Sequence, residues 1–427
     1  MSGWRRRQLL AAGLSLTATL LPRTAFGSPL KTASARVVIV GGGFAGATAA
    51  RYLRRWAPDL HVTLVVGTDR YWTCPFSNLV LVGERPLDSL EVHRSRLAKG
   101  GIELLRATAT GFDPEQRTLE LADGSELRWD RLVLAPGIEV LPEAIEGHDA
   151  AGVERFPHAW QGGPATADLA RRLRDVPDGG LVVITVPEAP YRCPPGPYER
   201  ASLFAWWLAR HRPQARLVIL DANDRFTKDE LFKDHWRQVH GDRLQWFGQA
   251  DGGTLRAVEV RRGTLHTDFD DWRPDLACVI PPQRAAAVAR QAGLDEGRGW
   301  CAVDPRTFAS RIHPDIHVIG DAAIANPMPK SAFAAASQAR VCAAAIATEF
   351  AGQDAPEAIL GNTCYSLLEP DLAISVSGSY RGTAAGIEAL PGSTGTSPLD
   401  ATAEVRRAEA GHARGWYAAA RADAFGD

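Results

Sequence analysis

The sequence predicts a doubly wound α/β fold built on two βαβ units and closed by a C-terminal α+β segment. Three observations carry this. The β-branched run Arg36–Val40 leads straight into a glycine turn and an alanine-rich helix pattern to about Trp56. A second such run, Leu181–Val186, opens another strand–helix–strand alternation. A third, Ile316-His317-Val318-Ile319, meets a turn and then a long alanine-rich stretch to about Phe350. Short apolar runs without polar alternation suit strands buried on both faces, and their alternation with helical patterns indicates parallel sheets. A length of 427 residues is consistent, since it implies two or three domains.

Taken in chain order, Met1 to Gly27 reads as an export signal rather than part of the fold. Arg5, Arg6 and Arg7 precede an apolar run from Leu9 to Leu21, and Ala25-Phe26-Gly27 offers a cleavage site, with Ala33-Ser34-Ala35 as a second. Arg6-Arg7-Gln8-Leu9-Leu10 resembles a twin-arginine address, so export into the periplasm by that route is the expectation. Without this segment the chain carries 44 basic and 50 acidic residues, about −6. That balance argues against a nucleic-acid binder held by bulk charge, and no later stretch of 18 apolar residues reads as a membrane span. Six cysteines are too few for a disulfide scaffold but enough for a redox site.

Gly41-Gly42-Gly43-Phe44-Ala45-Gly46 satisfies the dinucleotide fingerprint. Gly41 permits the tight turn, Gly43 lets backbone approach a diphosphate, and Gly46 allows close helix–strand packing. The diphosphate then lies at a helix N-terminus, where free N–H groups favour an anion. The next strand, His61–Val66, ends in Val66 where an acid usually binds the adenosine ribose. Asp69 can substitute through a shifted loop, or else water and backbone satisfy that ribose.

Arg131–Leu134 with Ala135-Pro136-Gly137, and Ile316–Ile319 with Gly320-Asp321-Ala322, match the two other signatures of flavoproteins with two dinucleotide-binding domains. The match implies a glutathione reductase-like, Rossmann-type fold with FAD as cofactor. Asp321 is expected to meet the flavin ribityl chain. The helix opening after Lys330, together with the Lys330 ammonium, is expected to stabilise charge on the reduced flavin edge. A second glycine fingerprint for NADH is missing. After Leu181–Val186 the chain reads Pro187 to Arg200 with five prolines and Cys193, which cannot form an amide-rich cradle. The predicted division is 28–150 for the first part of the FAD-binding domain and 151–290 for an NADH-domain-like βαβ domain carrying a redox cysteine. Residues 291–355 form the second FAD part, and 356–427 a C-terminal interface domain.

Tyr71 to Asn78, Arg192 to Arg200 and Asn362 to Ser366 together resemble the flavoprotein subunit of flavocytochrome c sulfide dehydrogenase. The resemblance runs over essentially the whole chain after the signal. It implies that Cys74 is joined to the flavin by a thioether, and that Cys193 and Cys364 form a redox-active disulfide on one flavin face. It further implies an acid beside that disulfide at Glu199, an aromatic near it at Trp416, and a separate c-type cytochrome subunit as electron acceptor. Val66 departs from the family pattern, as do the extra cysteines Cys278 and Cys342.

The residue chemistry fits these implied roles. Sulfide attacks a disulfide sulfur by thiol exchange and displaces the other cysteine as a thiolate. Which cysteine takes the sulfur is open; our reading places Cys364 towards the flavin and Cys193 towards sulfide. Glu199 can accept the proton as a general base. Cys278, Cys301 and Cys342 read as structural. No haem-attachment motif C-x-x-C-H occurs in the sequence, so this chain is not expected to attach haem c and its electrons need an external acceptor. The alternatives are a membrane-surface sulfide:quinone oxidoreductase, an NADH-linked disulfide reductase and a non-enzymatic flavin-binding subunit. The first of these requires an apolar face on the C-terminal helix, which Arg406, Arg407, Glu409, Arg414 and Arg421 interrupt.

Overall fold

β1 (Arg36–Val40), α1 (Phe44–Trp56) and β2 (His61–Val66) form the first βαβ unit of a computed structural model that describes residues 34–427. The proposed export signal lies outside the described residues. With β3 (Glu103–Arg106), β4 (Arg131–Leu134) and a later strand Ile316–Val318, they make a five-stranded parallel sheet. Val37, Ile39, Leu64, Leu132, Leu134 and Val318 are fully buried, as two covered faces require.

The second unit comprises β5 (Leu181–Val186), α2 (Gly196–His211), β6 (Arg216–Asp221), α3 (Asp229–Val239), β7 (Leu244–Phe247) and β8 (Leu276–Val279). Its strands also run parallel, in the order β7-β6-β5-β8. The chain then returns to the first sheet through β9 (Ile316–Val318) and the long helix α4 (Ala332–Phe350). Ser331 caps that helix, its hydroxyl accepting the Ala334 N–H at 3.0 Å.

An antiparallel hairpin, β10 (Ile359–Glu369) with β11 (Leu372–Gly382), and a terminal helix α5 (Ala403–Phe425) complete the chain. α5 puts its apolar residues inside the molecule. Phe425 meets Phe44 edge-on at 5.2 Å, and Tyr417 meets Phe76 at 4.9 Å. Tyr52 and Arg340 both bind Asp423, at 2.9 and 2.7 Å. Among the described residues no helix is long and apolar enough to cross a membrane.

Candidate functional site

The βαβ turn supplies one wall of a cavity of about 360 Å³, and each glycine has a distinct steric reason. Gly41 has φ +98°, and a Cβ there would fall 2.3 Å from the Ala135 carbonyl oxygen. A Cβ on Gly46 would lie 1.8 Å from the Gly41 oxygen, so only glycine lets α1 close onto the turn. At Gly43 the nearest atom to an added Cβ is Tyr71 Oη at 3.7 Å. That opening faces the cavity at the N-terminus of α1, where an anion is favoured.

Pro136, Gly137, Gly320 and Asp321 continue the lining. Asp321 is the sharpest test of cofactor fit, because its Oδ1 is buried with no hydrogen-bond partner among the described residues. Burial also raises its carboxyl above the ordinary carboxylate range, an effect the neighbouring Arg192 and Lys330 charges oppose. A ribityl hydroxyl is the kind of donor this oxygen lacks. The N-terminal turn of α4 presents Ser331, Ala332 and Phe333 to the same space, directing its positive end there.

Lys330 requires a correction. It does not line the cavity; its ammonium donates to the carbonyls of Asp321 and Ala323, both at 2.8 Å, and rests 3.8 Å from the Trp300 ring centroid. The turn at Gly320–Ala322 exposes those carbonyls, and satisfying them turns the side chain away. Burial brings the ammonium down to about 8. Arg94, Arg192 and Arg200 do line the cavity, and of these Arg192 adjoins Cys193 and feels the charges of Cys74, Asp321 and Tyr71.

Asp69 also departs from its expected part. Its carboxylate accepts the Ser95 N–H at 2.6 Å and lies 3.5 Å from His93, capping the turn Arg94–Gly100. Behind it Arg94 lines the cavity, donating from Nε to the Gly42 carbonyl at 2.7 Å and lying over Tyr71. Where an acid is usual, this chain brings a guanidinium beside the glycine turn.

Cys74, Cys193 and Cys364 all line the cavity, brought there from three separate segments, and all six cysteines are thiols in this structure. Cys74 follows the strand Arg70–Trp72 in a loop ending at Phe76, whose φ is 69°. Cys193 has φ 59° and donates its N–H to the Lys330 carbonyl at 2.8 Å. Ala159, also lining the cavity, has φ 46°. Non-glycine residues in left-handed conformations persist where surroundings over-determine them, and such residues cluster at functional sites. Cys364 projects from β10 with Asn362, whose side-chain amide lies 3.4 Å from its sulfur.

Glu199, in the first turn of α2, lies beside Cys193 and feels its charge. Its two oxygens accept from Asn78 Nδ2 at 2.8 Å and from the Leu367 N–H at 3.0 Å. Burial nevertheless raises its carboxyl above the ordinary value. Burial and the Glu199 charge push the Cys193 thiol up as well, so a free thiolate there is disfavoured. Asn78 is held in turn by Arg200, at 3.2 Å. Arg200 is itself only 2% exposed and reaches Cys278 Sγ at 2.8 Å. Trp416 lines the cavity and stacks on Phe333 at 5.9 Å. Cys278, Cys301 and Cys342 are fully buried away from it.

The other nucleotide crevice is filled. Asp221 ends β6 at the place where a Rossmann unit offers its ribose-binding acid. Here it accepts from Tyr198 Oη at 2.6 Å and Trp246 Nε1 at 2.9 Å, and Phe226 stacks on Tyr198 at 3.6 Å. These bonds take up the carboxylate that a nucleotide ribose would need.

Sequence reasoning passed over Asn78, Arg94, Arg192 and Lys228. Asn78 carried one signal, an amide set directly before the apolar run Leu79-Val80-Leu81. Lys228 carried none, because its partners lie in β10.

Residues 166–281 match a model of the sulfide dehydrogenase [flavocytochrome c] flavoprotein chain, central region. Residues 356–425 match the flavin-binding region of flavocytochrome c sulphide dehydrogenase, and residues 35–185 match the pyridine nucleotide-disulphide oxidoreductases. The flavoprotein chain of the Chlorobaculum thiosulfatiphilum enzyme is 58% identical over 45 residues, covering 94% of that sequence and 10% of this chain. A probable ferredoxin reductase of Castellaniella defragrans is 35% identical over 322 residues, 70% of this chain and 69% of that one. The sulfide:quinone oxidoreductase structure from Aquifex aeolicus superposes with a TM-score of 0.72 at 17% identity, over 91% of this chain and 92% of that one. That likeness shows the two-domain FAD-binding Rossmann-type fold. With FAD-binding regions at both ends, a central region particular to one enzyme and a cavity fitted to the cofactor, this chain belongs to the flavocytochrome c sulfide dehydrogenase flavoprotein family, FAD-dependent oxidoreductases that oxidise sulfide.

Proposed function

We propose that sulfide is oxidised at a disulfide between Cys193 and Cys364, beside an FAD tethered through Cys74, and that the electrons leave to a separate c-type cytochrome in the periplasm. The observation that carries this reading is the convergence of the three cysteines and Glu199 on the cavity bounded by Gly43 and Asp321. The filled second crevice supports it, because reducing equivalents then come from the substrate rather than from NADH.

HS⁻ attacks Cys193 Sγ; a new S–S bond forms as the Cys193–Cys364 bond breaks, and Cys364 leaves with the bonding pair as a thiolate. The persulfide proton passes to the Glu199 carboxylate. FAD, when bound, supplies the two-electron sink and releases electrons singly. Arg192 places positive charge beside Cys193 and offsets the anionic sulfide brought to it.

Glu199 works as a proton acceptor only when ionised, and its carboxyl is raised by burial. The limiting rate of flavin reduction at saturating sulfide therefore falls as pH drops through that raised value. Glu199→Gln is expected to slow the reaction by on the order of 10²-fold and to remove that acidic limb. Rapid-mixing absorbance across pH checks both; an unchanged limb in the variant ends the assignment.

The test of the whole reading is anaerobic titration with sulfide, followed through the flavin absorbance, with and without soluble cytochrome c. The expected result is flavin reduction by sulfide, none by NADH, and reoxidation by the cytochrome. Flavin bleached by NADH and untouched by sulfide would falsify it. Acid precipitation of the same sample tests the tether, since flavin released into the supernatant excludes the Cys74 linkage.

A further inference from the structure

Lys228 is a buried cation that the chemistry above does not use. It lies in the loop between β6 and α3, in the domain whose nucleotide crevice is filled, and it is 8% exposed. Its ammonium crosses to β10, donating to the Cys364 carbonyl at 2.9 Å and to Ser366 Oγ at 2.8 Å. Its φ is 67°, so a non-glycine residue is held in a left-handed conformation with its side chain directed inward. It does not line the cavity; it stands behind the cysteine that does.

We propose that Lys228 is a positioning residue for sulfide oxidation: its ammonium, held against the Cys364 carbonyl and Ser366, places a positive charge behind that sulfur, stabilising the thiolate it becomes when the disulfide opens. This rests on the disulfide reading given above. A leaving thiolate needs such a charge, because the Glu199 carboxylate and the buried surroundings oppose an anion in this region. Arg192 adjoins Cys193, so the two sulfurs face different cations, and the charge behind Cys364 favours that cysteine as the one displaced.

The groups that face the ammonium are Cys364 on β10, Glu199 on α2, Cys193 in the preceding loop and Glu409 on α5. Burial lowers it to about 8, and the negative charge of each of these groups raises it. A thiolate forming at Cys364 therefore holds the proton on Lys228, and the two charges stabilise each other.

The test uses the full FAD-loaded chain, reduced with dithiothreitol in the absence of sulfide and alkylated with iodoacetamide. Modification of the Cys364 peptide is followed by mass spectrometry. Lys228→Gln keeps amide donors for the Cys364 carbonyl and Ser366 but removes the charge. It is expected to slow alkylation about tenfold at neutral pH, with the difference vanishing in alkaline solution where the thiolate forms regardless. Lys228→Arg is expected to keep the wild-type rate. Equal rates for wild type and Lys228→Gln at neutral pH overturn the proposal, as does a deficit that persists unchanged in alkali, which marks mere misplacement of the strand. Should Lys228→Gln fail to fold, Lys228→Arg decides: a retained rate supports the charge and a tenfold loss overturns it. The wild-type sulfide titration tests the enzymatic reading separately, because no sulfide enters the alkylation.

Discussion

Replacing Cys193 or Cys364 by serine is expected to lower sulfide-driven flavin reduction by about 10³-fold or more while leaving FAD bound. In the proposed mechanism either change removes the S–S bond that sulfide attacks, and a hydroxyl neither forms a disulfide nor leaves as a thiolate at neutral pH. The residues that would hold the cofactor lie elsewhere, in the Gly41–Gly46 turn, Asp321 and the α4 N-terminus, so its visible spectrum should persist. Dithionite, which needs no disulfide, should still bleach it. The fold should tolerate the change, since both side chains border the cavity rather than sealing the core. Rapid-mixing absorbance with sulfide and then dithionite distinguishes a chemical defect from a lost cofactor. A serine variant that sulfide reduces at the wild-type rate would remove the disulfide from the reaction.

Two alanine substitutions in the glycine turn are expected to fail in opposite ways. Gly46→Ala places a methyl group 1.8 Å from the Gly41 carbonyl oxygen, backbone against backbone, and nothing there can rotate aside. α1 must shift off the sheet, at a cost on the order of 3 kcal/mol or more, and soluble protein should fall sharply with the flavin lost. Gly43→Ala meets only Tyr71 Oη at 3.7 Å, so the protein should fold and melt within a few degrees of wild type. Its methyl group instead enters the space the diphosphate needs, and flavin content should drop about tenfold or more. Thermal unfolding by circular dichroism beside the flavin-to-protein absorbance ratio separates the two. Full flavin occupancy in Gly43→Ala would mean that the diphosphate does not approach this turn.

The contrast between these glycines shows how far local pattern reaches. β1, the turn and α1 were legible because their causes act within a few residues: a β-branched run for the strand, glycines where backbone crowds backbone, alanines for the close helix. The same holds for β4 with Pro136 and Gly137, and for β9 with Asp321. The loss of the NADH cradle was legible from Pro187 to Pro197. What fills the crevice was not: Tyr198, Trp246 and Asp221 come from α2, β7 and β6 and meet only after the sheet has formed.

The direction of a long side chain is the other thing sequence did not settle. Lys330 was placed correctly along the chain, yet two carbonyls of the Gly320–Ala323 turn and the Trp300 ring draw its ammonium away from the cavity. Arg192, read only as part of a proline-rich motif, lines the cavity instead. Asp69 was reachable as a ribose partner by position, but the exposed Ser95 N–H takes its carboxylate. A flexible side chain goes to whichever unsatisfied group lies within its reach, and that is a property of packed neighbours rather than of sequence neighbours.

The sequence by itself determined the two βαβ units, the glycine turn, the absence of a second phosphate cradle and which cysteines carry unusual surroundings. These follow from backbone sterics and hydrophobic period, which act over a turn or a strand. Only the tertiary structure decided that Cys74, Cys193 and Cys364 share one cavity, that Asn78 orients Glu199 across 121 residues, and that Lys228 stands behind Cys364 from 136 residues away. Those relations depend on how two sheets and a hairpin close upon one another, and no local rule carries that information.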